Sequence, residues 1–280
     1  MTGISRESVL QSCDALPAFP RVVTQTLATL DDPDAGLTDL AQCIEHDPVI
    51  TARVISLANR AGNARRGDDH VNDVFTAISL IGLSQVRQTV LMASLVGFLE
   101  GVAQARYFWE HSAVVGVASI ELASLARANV HRDMALIAGL LHDVGQLWLF
   151  RFHHAEFVRA RATSQASRRP IDECERMEFG VDHAQIGAWL AHEWGFSDEV
   201  VEAIAKHHAP TDDPCPPLVA VVHIAEVLSH ALDVTSSKDN RVSYLSTPAC
   251  KTLGLEWDDG AQQLFGRIEA RSGHAIRFLR

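Results

Sequence analysis

The chain has 280 residues, 47% of them hydrophobic and 21% charged, enough to bury one large core or two moderate ones and unlike a disordered or membrane-embedded chain. Its formal net charge of −11 opposes wholesale binding to a nucleic-acid polymer or an anionic membrane surface. The short basic pairs Arg65-Arg66 and Arg168-Arg169 read as solvated loop residues.

Helical periodicity then runs along almost the whole chain. Residues 20–30 place Val22, Val23, Thr26, Leu27 and Leu30 on one stripe after a proline start. DDPDAG breaks the pattern. A helix follows over Leu37–His46 with Thr38 as its cap, and Asp47-Pro48 opens another with Ile50, Val54, Ile55, Leu57 and Ala58 inward. AGNARRGDDHVND reads as a loop, and Val74–Gly101 is helical again, with Gly82 at a turn between two helices. A second block opens near Gln104. Helices are expected over 106–128, 132–151, 173–179, 182–194, 198–207 and 217–232, with a proline-rich loop, HHAPTDDPCPP, at 207–217. Shorter helices close the chain at 247–253 and 258–272. No alternation supports a sheet. The expected architecture is an all-α, two-lobed helical bundle: an N-terminal lobe (1–102), a second lobe (103–235) and a C-terminal helical extension (236–280). Trp148, Leu149 and Phe150 are read as core.

Five cysteines (Cys13, Cys43, Cys174, Cys215 and Cys250) are odd in number and form no CxxC pattern, which argues against a disulfide framework or zinc ribbon. With no secretory leader and no apolar run of the roughly 20 residues that span a bilayer, a cytoplasmic location is expected.

The chemistry lies among the 14 histidines, where position rather than number selects. His142 and Asp143 stand side by side in the apolar run GLLHDVGQLWL, expected to be mid-helix, where a bare carboxylate is costly unless paired, hydrogen-bonded or bound to metal. His111 lies early in the preceding helix, His183 follows the predicted cap Asp182, and His207-His208 end the helix before the proline-rich loop. Imidazole and carboxylate donors of this kind suit Zn²⁺, Fe, Mn²⁺ or Ni²⁺, one ion or two. The remaining histidines (His46, His70, His131, His153, His154, His192, His230 and His274) read as surface or loop residues.

In this order the motifs resemble the HD superfamily of metal-dependent phosphohydrolases: a lone His111, His142-Asp143 in LLHDVGQ, His183 in DHAQIG, then the tandem His207-His208. The order is most similar to the HD-GYP branch of cyclic-di-GMP phosphodiesterases. Residues 14–100, with LPAFPRVVTQTLATLDDPDAGLTDLAQCIEHDPVITARVISLAN and AISLIGLSQVRQTVL, resemble instead the HDOD domain, a bacterial signalling module that joins an N-terminal helical lobe to an HD-like lobe. The resemblance implies that His111, His142, Asp143, His183, His207 and His208 ligate metal. Glu226, in VVHIAEVL with His223 one turn before it, takes the place of the pattern's last aspartate. Three departures stand against catalysis. Gln146 replaces the lysine of HDxGK and supplies no positive charge near a phosphate. The GYP loop is absent. Asp212 and Asp213 in the loop that replaces it would repel a phosphodiester. Arg127 and Lys206 are the nearest cations in sequence and are expected to be solvated.

Two functions fit these residues. One is a signalling module that acts by binding a protein partner in trans, or a small-molecule or nucleotide ligand, without catalysis; its metal, where present, braces the fold. The other is a metal-dependent phosphodiesterase in which Asp143 is the candidate catalytic group. A third view of the site, as a retired set of core histidines without metal, is compatible with the first.

Overall fold

The computed structural model describes residues 3–12, 26, 29–30, 32–45, 48–62, 71–83, 85–86, 89–90, 105–125, 127, 129–194, 196–232, 244–256 and 259–279. Most of the expected helix at 20–30, the loop at 63–70, the stretch 91–104, Cys13, His46, Asp47 and His70 lie outside them. Every regular element among the described residues is an α-helix. By contact density the chain divides into two compact units, Ala15–Gly101 and a larger one that combines Met1–Asp14 with Val102–Arg280. The first fourteen residues therefore group with the second half of the chain and not with the lobe expected over 1–102.

In the smaller unit, α2 (Leu37–Glu45) buries Leu40, Ala41 and Ile44. The Asp39 carboxylate accepts the Gly36 N–H at 2.8 Å, so Thr38 lies inside the helix and is not its cap. In α3 (Pro48–Gly62), Ile50, Val54 and Ala58 are buried at helical spacing. The Asn59 amide grips both the N–H and the C=O of Val71, which seats the entry to α4 (Val74–Ile81). Asp73 caps α4 by accepting the Thr76 N–H at 2.7 Å, and Gly82, at φ +81°, ends it in a conformation that side chains other than glycine rarely adopt.

The larger unit starts with α1 (Arg6–Gln11), which packs on a later helix, α10 (His183–Glu193). Its frame is α5 (Ala105–Ala123), which packs against α6 (Arg132–Leu141), α12 (Pro217–Ala231) and α14 (Asp259–Leu279). The remaining helices are α7 (Val144–Phe152), α8 (His154–Ser167), α9 (Ile171–Phe179), α11 (Asp198–Lys206) and α13 (Thr247–Leu253). Trp148 and Leu149 are core, and the Trp148 indole N–H donates to Ser12 Oγ at 2.8 Å, which ties down the segment after α1.

Two differences from the expected elements matter for the site. The helix expected over 132–151 is two helices broken at His142-Asp143, with Asp143 at φ −100°, ψ 11°. Both side chains at the break are buried. The stretch after Phe152, for which periodicity indicated nothing, forms α8, ended by Arg168 in the left-handed region at φ 59°.

Candidate metal centre

Six helices bring the donors together. His111 comes from α5, His142 and Asp143 from the α6–α7 break, and His183 from the first residue of α10. His207 and His208 follow α11, and Glu226 comes from α12. His111, His142, Asp143, His183 and His207 are all buried, Glu226 is at the edge of burial and His208 is half-buried. Asp143 divides the group. Its Oδ1 lies 3.0 Å from His183 Nε2 and 3.8 Å from His207 Nε2, and His208 Nε2 stands 2.7 Å from His183 Nε2. Its Oδ2 lies 3.5 Å from His142 Nε2 and 3.8 Å from His111 Nε2. Glu226 closes the second half, with Oε2 at 2.9 Å from His111 Nε2 and 3.1 Å from His142 Nε2. The ligand atoms of Asp143, His183, His207 and His208 lie within 4.8 Å of one another, as do those of His111, His142 and Asp143.

The structure thus brings together all seven side chains singled out as ligands. It separates His223 from them: its Nδ1–H donates to the His207 carbonyl at 2.7 Å while its Nε2 accepts the Ser246 N–H at 3.0 Å, so it braces the backbone behind His207. It also adds His230, read from the sequence as a surface residue. His230 is one turn beyond Glu226 on α12, 2.7 Å from Glu226 Oε1, and forms a third group with His111 and Glu226. Glu175, on α9, escaped notice as one acid in a charged helix. It is fully buried and accepts both the backbone N–H and the Nδ1–H of His183, at 2.8 and 2.5 Å.

These outer hydrogen bonds decide whether a metal fits. His142 and His207 donate Nδ1–H to the carbonyls of Gly139 and Ile204, and His183 donates to Glu175, so each presents an Nε2 lone pair inward. The buried atoms His142 Nε2, His207 Nε2, Asp143 Oδ1 and Glu226 Oε2 have no hydrogen-bond partner of good geometry among the described residues. Buried polar atoms are normally satisfied, and here lone pair faces lone pair. A divalent cation between them satisfies all four, so the donor set fits one or two such ions.

Protonation divides the imidazoles, two shifted towards the neutral form and two towards the charged one. Burial, together with the neighbouring His142 and His183, pushes the His207 imidazole down to about 4, and burial with the charges of His207 and His183 drives His208 well below its usual range. Burial would raise the Asp143 and Glu226 carboxyls, but the adjacent histidines outweigh it and hold both well below the usual carboxylate range. Burial would lower His142 and His183 as well, but Asp143 with Glu226, and Glu175 with Asp143, outweigh it: His142 is raised and His183 is raised well above its usual range. Neutral imidazoles and ionised carboxylates are the forms that ligate, so a cation would take the place of the protons on these two.

The centre opens on a cavity of about 400 Å³. Gln146 lines it and lies 3.5 Å from His183 Nε2. Neither Lys206 nor Arg127 does: Lys206 is held by Glu202 and Asp212, both at 2.8 Å, and Arg127 runs beside Gly254. Asp212 and Asp213 are likewise absent from its wall. Arg168 and Arg169, read from the sequence as solvated loop residues, do line it, as does Arg161.

A family model described as the HDOD domain matches residues 16–210. A solved structure from Shewanella amazonensis SB2B, provisionally named a phosphohydrolase, is similar with a TM-score of 0.73 and 26% identity, covering 96% of this chain and 96% of that one. An HDOD domain protein of unknown function from Geobacter sulfurreducens shares the fold, with a TM-score of 0.69 and 22% identity over 94% of this chain and 96% of that one. A curated relative from Treponema pallidum (strain Nichols), itself uncharacterized, is 25% identical over 231 residues, 81% of this chain. The chain spans 44% of that relative's length.

Proposed function

The chain belongs to the HDOD family, and from that premise we propose that it is a signalling module whose buried donor set holds one or two divalent ions and receives a small phosphorylated ligand. A protein partner in trans reads the bound state. The observation that carries this reading is the set of buried, unsatisfied donor atoms at His142, Asp143, His207 and Glu226, with imidazole tautomers fixed from behind. His111, His142, Asp143 and Glu226 would hold one ion, and Asp143, His183, His207 and His208 the other; Fe, Mn²⁺, Zn²⁺ and Ni²⁺ suit these donors. When bound, such ions supply a Lewis acid for a phosphoryl oxygen and lower the pKa of a coordinated water. The chain's own residues orient the ligand atoms and exclude bulk water from the buried side of the centre.

A second reading, hydrolysis of a phosphoester, gains support from one feature: Arg161, Arg168 and Arg169 line the cavity and offer positive charge that Gln146 does not. One experiment addresses both. The metal content of chain purified without chelator or a histidine tag is measured by elemental analysis, and the same sample is assayed for phosphate binding and for cleavage of bis(p-nitrophenyl) phosphate. One or two ions per chain with saturable phosphate binding, both reduced in His142→Ala and Asp143→Asn, is the expected result. Absence of metal from chain supplied with each candidate ion would overturn the proposal. Turnover that disappears in both variants would establish the hydrolase.

A further inference from the structure

We infer that the turn joining α8 to α9 carries a second anion subsite, which selects ligands bearing an acidic group separate from the one that meets the metal centre. The inference rests on the proposed function only in taking the cavity as the ligand's seat. His111, Asp143 and His208 of the centre share this cavity with Arg161, Arg168 and Arg169, which come from α8 and the turn after it. Three guanidinium groups on one cavity stand out in a chain of net charge −11.

The chemistry around Arg168 and Arg169 leaves these two available to a ligand. An acid lining the same cavity, Asp172, is already taken by Arg176 at 2.6 Å, and Arg176 is shared in turn with Asp182. Neither Arg168 nor Arg169 is paired with a carboxylate among the described residues. Among the described residues the Arg169 guanidinium donates to Met177 Sδ, at 3.5 Å. The turn is also held in place. Ser164 Oγ–H donates to the Arg169 carbonyl at 2.7 Å, Ser167 Oγ accepts the Arg169 N–H at 3.4 Å, and Pro170 follows. Arg168 occupies the left-handed cap at φ 59°, where glycine or asparagine is easier. Arg161 lies over the rings of Phe108 and Phe157 at 5.7 and 6.0 Å, a cation–π contact with both.

Size agrees with charge. About 400 Å³ accommodates a whole small organic molecule, not just one phosphate group. A ligand anchored at the metal centre by one acidic group would extend across this volume and set a second against the arginines, whose planar donor forks match phosphate or carboxylate oxygens.

The test uses the full chain loaded with Mn²⁺ and titrated calorimetrically with α,ω-alkanediol bisphosphates of increasing length and with the matching monophosphates. The double variant Arg168→Gly, Arg169→Gln is run beside it; both positions are exposed, and thermal melting checks that the variant is folded. In the parent, at least one bisphosphate is expected to bind tenfold or more tightly than its monophosphate. The variant should reduce that preference to within twofold by weakening the bisphosphate far more than the monophosphate, with metal content unchanged. Equal affinity for mono- and bisphosphates in the parent, or a preference that survives in the variant, overturns the subsite and leaves the metal reading intact. If the parent takes up no metal, the metal reading fails by itself. The subsite is then supported if the metal-free parent binds a bisphosphate that the variant does not, and overturned otherwise.

Discussion

Gly145→Ala should disable the centre without touching a ligand. Gly145 is the second residue of α7, at the crossing with α10, and a Cβ there would meet the His183 carbonyl oxygen at 2.0 Å, its carbon at 2.8 Å and the Gly187 nitrogen at 2.9 Å. All three obstacles are backbone, so no rotamer change relieves them. The nearest contact falls roughly 1.4 Å short of the 3.4 Å where ordinary contact begins, so α7 and α10 must separate by about that much. Asp143 and His183, 3.0 Å apart on these two helices, separate with them. Overpacking of this kind costs about 1–3 kcal/mol, and a rigid backbone obstacle places it at the upper end. The helix propensity gained on replacing glycine by alanine returns only about 0.5–1 kcal/mol. A net loss near 2 kcal/mol lowers Tm by roughly 4–8 °C in a domain of this size. Calorimetric melting of the chelated protein measures the packing term, and Mn²⁺ titration measures the centre. Gly266→Ala is the control: nothing lies within 4 Å of its added carbon, so it should raise stability by about 0.5–1 kcal/mol. If Gly145→Ala melts with the parent and binds Mn²⁺ as tightly, the close crossing is not what positions the centre.

Glu175→Ala removes the acceptor of two His183 N–H groups, and loss of such an outer partner typically lowers metal affinity about 10–100-fold. Glu175→Gln, which keeps one acceptor, should lose less, and unchanged Mn²⁺ affinity in both would remove Glu175 from the site. A pH effect is expected far from the centre, at Glu121. Burial raises its carboxyl, but hydrogen bonds and charge from Arg267, at 2.9 Å, and Arg271 prevail and hold it below the usual range. A depressed folded-state pKa stabilises above the unfolded value near 4.3 and is lost as pH falls through the folded value. Glu121→Gln should therefore cost about 1–2 kcal/mol at pH 7, limited by the half-exposed arginines, and progressively less on acidification. A deficit that stays constant from pH 7 to pH 3 would refute the linkage.

The all-helical fold was legible because apolar residues recur at 3.6-residue spacing through long segments such as 48–62 and 198–206. The break at His142-Asp143 was not, since the surrounding run is apolar and helix-favouring on both sides and local propensity argues for continuity. His230 and Glu175 escaped for opposite reasons. Helix α12 is buried around its whole circumference from Leu218 to Ser229, so periodicity assigns His230 no face. Glu175 sits in a mainly acidic helix that reads as solvent-facing, yet its carboxylate is buried against the first residue of α10. Arg168 and Arg169 are indeed exposed, but that a cavity wall passes beneath them is not a local property.

By itself the amino-acid sequence determined the helical class and most of the metal-ligand types, because periodicity and ligand chemistry are carried by residue type and spacing. Only the tertiary structure decided which donors share a cavity and which histidine is brace or ligand. It alone set how closely α7 and α10 approach and where the arginines face. Those depend on contacts between residues such as Gly145 and His183, or Glu226 and His111, that lie tens to more than a hundred positions apart and that no local pattern encodes.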